Sequence, residues 1–176
     1  MSAIHKLRVI LDTEEDIFRD IDIQAENTLM ELHASVLKAF GIADGEMASF
    51  YHTDDNWTQG EEIPMLDMGG HPDTASMNQV HIEDLLAKPG DRLLYVYDYL
   101  NMWTFFIEFV QHAEAEDGVE YPNVSLEFGD APKEAPTKDF GGSDSPSKSG
   151  GLFGGAFDDD EEEDEDYDGD FSEESF

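Results

Sequence analysis

DRLLYVYDYLNMWTFFIEFV, residues Asp91–Val110, is the stretch whose reading decides the fold. Leu93, Leu94, Tyr95, Val96 and Tyr97 run together before a short polar break at Asp98–Asn101. Beyond the break, Trp103, Phe105, Ile107 and Phe109 alternate with Met102, Thr104, Phe106 and Glu108. Alternation with a period of two sends successive side chains to opposite faces of an extended chain, and aromatic and β-branched residues suit that conformation. A central antiparallel hairpin with a tight turn is therefore predicted. Nothing in it names a reaction.

On the N-terminal side, Leu7, Val9 and Leu11 alternate with Lys6, Arg8 and Ile10, which predicts a strand with one buried face. Ile17, Ile21 and Ile23 alternate with Asp20 and Asp22 in a second strand paired to the first. Arg19 falls on its apolar face, where it either meets a carboxylate or reaches the rim, a structural role in both cases. The clearest helix follows. Thr28 is a good N-cap, Glu31 completes a capping box, Leu29, Leu32, Val36, Leu37 and Phe40 recur at helical spacing, and Gly41 stops the helix. His33 lies beside this stripe as a packed, hydrogen-bonded side chain, since no metal-binding residue stands four positions away.

Met47–Thr53 reads as a third strand and Asp54–Asn56 as a turn. Periodicity then disappears, and Gly60, Pro64, Gly69, Gly70 and Pro72 mark a long surface loop over Gln59–Asn78. His71 and His81, with Asp67 and Asp73, match none of the recurrent metal-ligand spacings, so no metal and no cofactor is expected. Val80–Ala87 reads as a short helical turn, Tyr121–Phe128 as an edge strand, and the Pro132–Gly142 segment as coil wrapping the domain.

Composition sets the class. The 176 residues carry 9 basic and 43 acidic side chains, a net charge of −34. The excess is −21 over residues 1–142 and −13 over residues 143–176. Such a surface repels nucleic-acid phosphates and anionic membranes, so neither is expected as a direct partner. The absence of cysteine excludes disulfides and thiolate metal sites. No apolar run has signal-peptide or membrane-spanning length, which leads to the expectation of a cytoplasmic protein. Residues 143–157 are a Gly/Ser-rich linker, and residues 158–176 hold 13 carboxylates and no basic residue, the composition of a disordered tail. Within the tail, Asp164, Asp166, Asp168 and Gly169 open a calcium-loop pattern, but Ser175 stands where the bidentate Glu is needed. Phe171 and Phe176 sit among carboxylates, which resembles the partner-recruiting tail of bacterial single-stranded-DNA-binding proteins.

The segments Ile17–His33 and Val80–Trp103 resemble the plasmid open-reading-frame-three-like domain family, passenger proteins of mobile elements that often carry a resolvase-like name. The matching motifs are Ile17-Phe18-Arg19, Thr28-Leu29 with Leu32-His33, Pro89-Gly90-Asp91, Tyr97-Asp98-Tyr99 leading to Trp103, and Pro136 through Gly142. The resemblance implies an α+β domain over residues 1–142, a β-grasp-like, mostly antiparallel sheet packed on one main helix, and it implies no activity. Where the family pattern has Gly, Asp and His around the hairpin turn, this chain has Leu100, Asn101 and Phe105. Any polar site the family builds there retains only Asp98, and one carboxylate serves neither as an acid–base pair nor as a tight metal site. A resolvase needs a nucleophilic Ser or Tyr in a basic setting, which this acidic chain does not offer.

These observations lead to a non-enzymatic adaptor whose folded domain and acidic tail engage a basic protein. Asp98, Asn101, Trp103, Phe171 and Phe176 are the expected contact residues. Two alternatives are a nucleic-acid mimic that sequesters a DNA-binding protein, and an enzyme combining Asp98 with His52, His81 or another group brought near by the fold.

Overall fold

A computed structural model describes residues 2–67, 69 and 74–136. The linker over 143–157, the acidic tail over 158–176 with Phe171 and Phe176, and the pair His71 and Asp73 lie outside the described residues.

Among the described residues, seven strands and two helices follow one another as β1 (Ala3–Leu11), β2 (Phe18–Gln24), α1 (Leu29–Phe40), β3 (Ala48–Thr53), β4 (Gln59–Pro64), α2 (Ile82–Leu85), β5 (Arg92–Tyr97), β6 (Trp103–Glu114) and β7 (Asn123–Phe128). They form one sheet in the order β4-β3-β5-β6-β1-β2-β7, and every neighbouring pair is antiparallel. The expected α+β, β-grasp-like arrangement of a sheet packed on one main helix is thereby corrected. The described residues are mostly β, with helices of twelve and four residues beside seven strands. The difference arises at sequence stretches with little burial. Gln59–Pro64, expected as part of a loop, pairs with β3 although only Ile63 in it is buried. Gly60 permits that pairing, because a Cβ there would stand 2.8 Å from the His52 carbonyl oxygen.

The hairpin that decides the fold is β5 and β6, with Leu93 opposite Ile107 and Tyr95 opposite Phe105. Alternation gives the sheet two distinct faces. The core face gathers Leu7, Val9, Ile21, Phe50, Tyr95, Phe105 and Phe109, all fully buried. Against it lies α1, which carries the chain from β2 near one edge to β3 near the other. Its capping box is formed: Thr28 N–H donates to the Glu31 carboxylate at 2.7 Å, and Glu31 N–H donates to Thr28 Oγ1 at 3.4 Å. Gly41 closes it at φ 67°, a left-handed conformation that glycine adopts without a Cβ penalty. Leu29, Leu32, Val36, Leu37 and Phe40 are buried by α1, each contributing about 1.5–3 kcal/mol.

Arg19 takes neither of its expected positions. Its guanidinium is buried over the Phe40 ring and donates to the carbonyls of Phe18, Ala39, Phe128 and Gly129. One side chain thus joins β2, the C-terminal turn of α1 and the end of β7.

Candidate functional site

The β5–β6 connection runs from Asp98 to Met102, both at positive φ (59° and 57°). The Asp98 carboxylate accepts the N–H groups of Leu100 (3.1 Å) and Asn101 (3.3 Å) and the Asn101 side-chain amide (2.6 Å). The amide, with these backbone groups, holds the Asp98 carboxyl below the ordinary Asp range. Asp98 and Asn101 therefore meet, as a turn built by an aspartate on its own backbone. Trp103 does not join them. It is 6% exposed and stacks over Phe105 within the core.

Tyr99 projects from the same turn to a polar corner that sequence reasoning missed. Ser49, fully buried on β3, donates to the Glu62 carboxylate of β4 at 2.6 Å and is hydrogen-bonded to the Tyr99 hydroxyl. Tyr51 stands two positions along β3, on the same face as Ser49. Burial, then the negative charge of Glu62 and the nearby Tyr99, push the Tyr51 phenol up to about 12, with Ser49 opposing the rise. Burial and Glu62 raise Tyr99 as well, again against the Ser49 hydrogen bond. Ser49 and Glu62 are 13 positions apart and Ser49 and Tyr99 are 50 apart, so no local spacing signals the corner.

From this corner a register row crosses the outward face of the whole sheet: Glu62, Tyr51, Leu94, Phe106, Ile10, Phe18 and Phe128 are successive cross-strand neighbours. Leu94 is buried, Tyr51, Phe106, Ile10 and Phe18 are half-buried, and Phe128 is 52% exposed. Trp57 packs edge-on to Phe106 at 5.0 Å, and Phe18 stacks on Phe128 at 5.1 Å. A second row beside it is charged: Arg92, Glu108, Arg8 and Asp20. Arg8 is bidentate on Asp20 (2.8 and 2.9 Å), and Lys6 pairs with Asp22 at 2.9 Å. Arg92 lies over Trp57 and donates to the Asp55 carbonyl.

The histidines are engaged elsewhere. His33 Nδ1 meets the Tyr95 hydroxyl in the core, His81 Nδ1 donates to the Glu26 carbonyl at 2.6 Å, and His5 stacks on Phe109 at 4.1 Å. His52 lines a shallow cleft with Asp54, Asp91 and Arg92, and Asp98 is not among the lining residues. Among the described residues no three metal-ligating side chains converge. The same residues include no helix long and apolar enough to cross a membrane.

The fold and this outward face define a class, a wholly antiparallel seven-stranded sheet with one face buried in the core and one face bearing an aromatic row. The chain matches the family model described as plasmid pRiA4b ORF-3-like protein over residues 3–175, and it belongs to that family. The match extends well past the motifs that end at Gly142, and the resolvase-like name is no part of it. A solved structure from Methanosarcina mazei Go1, described as protein of unknown function MM3350, is similar with a TM-score of 0.60 at 19% identity. That likeness covers 72% of this chain and 70% of the other, and at this identity it concerns the fold alone. None of the curated proteins matches this chain.

Proposed function

We propose that this protein is a non-catalytic protein-interaction module that engages a basic partner. The observation that carries this reading is where its few cations go. Lys6 and Arg8 are neutralised by Asp22 and Asp20, Arg19 is buried on four carbonyls, and Arg92 is held over Trp57. With 9 basic against 43 acidic side chains, engaging four of the cations in contacts within the fold leaves a surface field that is strongly anionic. Such a field steers cationic proteins and repels nucleic acid and anionic membranes. Residues 158–175 of the acidic segment fall within the span matched by the family model, which supports treating them as part of the module.

The test is affinity capture from the native host's lysate, with the full chain and residues 1–142 as baits, each washed at low and high salt. Retention of a basic protein by the full chain, and its release by salt, is the expected result. If no basic protein is retained even at low salt, the reading fails.

A further inference from the structure

We propose that the outward face of the sheet docks a cationic amphipathic helix of a partner protein, with the helix's apolar side chains on the Phe106–Ile10–Phe18–Phe128 row and a lysine or arginine at the Glu62 end. The inference rests on the basic-partner reading above and gives it a surface and a ligand chemistry.

Three features of the row argue for this occupant. The first is its length. Tyr51 to Phe128 is five strand-to-strand steps, about 24 Å at the usual spacing. A helix rising 1.5 Å per residue covers that in about 16 residues, an ordinary length for a helix recognised by its apolar stripe. The second is its composition. Phe106, Ile10, Phe18 and Phe128 are contiguous and at least partly exposed, with Trp57 against Phe106 at one side. Aromatic side chains of this kind supply large buried area at low entropic cost, which is why they anchor interfaces.

The third is the charge at its end. On this face the cations Lys6 and Arg8 already have carboxylate partners, and Arg92 is engaged over Trp57 and on the Asp55 carbonyl. Glu62 has no cationic partner among the described residues. Its carboxylate accepts from the Ser49 hydroxyl opposite the cross-strand neighbour Tyr51, and its charge makes Tyr51 and Tyr99 harder to ionise. A lysine or arginine placed there meets a carboxylate with Tyr51 as its cross-strand neighbour, and a carboxylate favours a cation over a neutral side chain. An acidic segment, including the chain's own residues 158–176, meets repulsion at the same point.

The probe is a synthetic 18-residue Leu/Lys peptide with all leucines on one helical face, compared with a scrambled peptide of the same composition. Binding to the full-length protein is followed through the emission of Trp57, with Trp57→Phe to assign the signal, in 0.15 and 0.5 M salt. The amphipathic peptide is expected to bind at least about tenfold tighter than the scramble. Phe106→Ser and Phe18→Ser are expected to remove that difference without changing scramble affinity, and Glu62→Gln, which keeps a hydrogen-bond acceptor for Ser49, to weaken the amphipathic peptide by about fivefold. Native folding of each variant is checked by its amide NMR spectrum. Equal affinity for the two peptides overturns the docking face while leaving the basic-partner reading intact. Binding of neither at low salt overturns both. A concentration-dependent dimer that Phe18→Ser abolishes in sedimentation assigns the face to a second copy and overturns the helix as occupant.

Discussion

The Tyr95 hydroxyl lies 2.5 Å from His33 Nδ1 beneath α1, joining the helix to the central hairpin inside the core. Burial raises the Tyr95 phenol strongly, so it keeps its proton and donates it to the imidazole. The His33 proton is thereby placed on Nε2, which faces the Asp44 carboxylate at 3.7 Å. Although Asp44 favours a charged imidazole, burial is the larger influence and lowers the His33 pKa. Nitrogen NMR at neutral pH should show a neutral Nε2–H tautomer. Tyr95→Phe should cost about 1–3 kcal/mol in urea unfolding, the range for stranding a buried acceptor; a change below about 0.5 kcal/mol would show that water or another donor replaces the phenol.

His5 is the second histidine held neutral, by burial against Phe109 and by the neighbouring His112. In both cases the folded pKa lies below the unfolded value of 6.5. Below pH 6.5 the unfolded chain takes up protons that the native state refuses, so these groups reduce stability as the pH falls towards their folded pKa values. The slope has a ceiling of about 1.4 kcal/mol per pH unit for each group. Carboxylates act concurrently in so acidic a chain, so the comparison is between wild type and the His5→Phe and His33→Gln variants. Between pH 7 and 5 each variant should lose less stability than wild type, and parallel curves would contradict the assignment.

Arg19 should be irreplaceable by either an apolar or a shorter cationic side chain. Arg19→Met leaves the carbonyls of Ala39, Phe128 and Gly129 without their donor and should cost about 2–4 kcal/mol. Lysine has a single nitrogen in place of the guanidinium fork and should recover only part of the loss. Hydrogen exchange should show β7 and the last turn of α1 loosening together, since the same guanidinium holds both.

Asp98 is a test of turn chemistry. Asn keeps an acceptor and tolerates a left-handed backbone, Gly keeps the backbone alone, and Ala keeps neither. Melting temperatures should therefore fall in the order wild type, Asp98→Asn, then Asp98→Gly, with Asp98→Ala lowest. If Asp98→Ala melted with wild type, the hydrogen bonds to Leu100 and Asn101 would be incidental.

At the polar corner, Tyr51 should remain protonated at pH 10.5, where an unperturbed tyrosine is mostly ionised. Glu62→Gln should lower its pKa while leaving it above 10, because burial is the larger cause. A carbon-13 titration of the tyrosine ring would reveal either result.

The elements that announced themselves were those whose signal is local and repeated. The hairpin showed in the alternation from Trp103 to Phe109, and α1 in the Thr28/Glu31 box and its apolar stripe, because these patterns are written in adjacent residues. The strand β4 was hidden. Its burial is confined to Ile63, so the period-two signature had only one apolar position to act on, and the hairpin partner β3 supplied the rest. With it went the expectation of a sheet built around one helix. Asp98 and Asn101 are legible as a pair because they stand three positions apart, whereas Trp103, named as a contact residue with them, is 6% exposed beside Phe105. The Ser49–Glu62–Tyr99 corner and the Phe106–Ile10–Phe18–Phe128 row depend on strand register between distant segments, which no window of the chain contains.

Strand β1 lies between β6 and β2, with Ala3 opposite Glu114 and Leu11 opposite Phe105. On the ribosome, the residues made early must therefore wait for a partner synthesised about a hundred residues later. Until β6 emerges, the pair β1–β2 is a two-stranded ribbon, which is at best marginally stable in water. Closing the sheet is thus a late, long-range step, and long-range pairing is the slow part of folding. During that interval the nascent chain shows Leu7, Val9, Ile21 and Ile23 to the cell, and its dense negative charge is then an asset of a different kind, keeping unfinished copies apart on a crowded polysome.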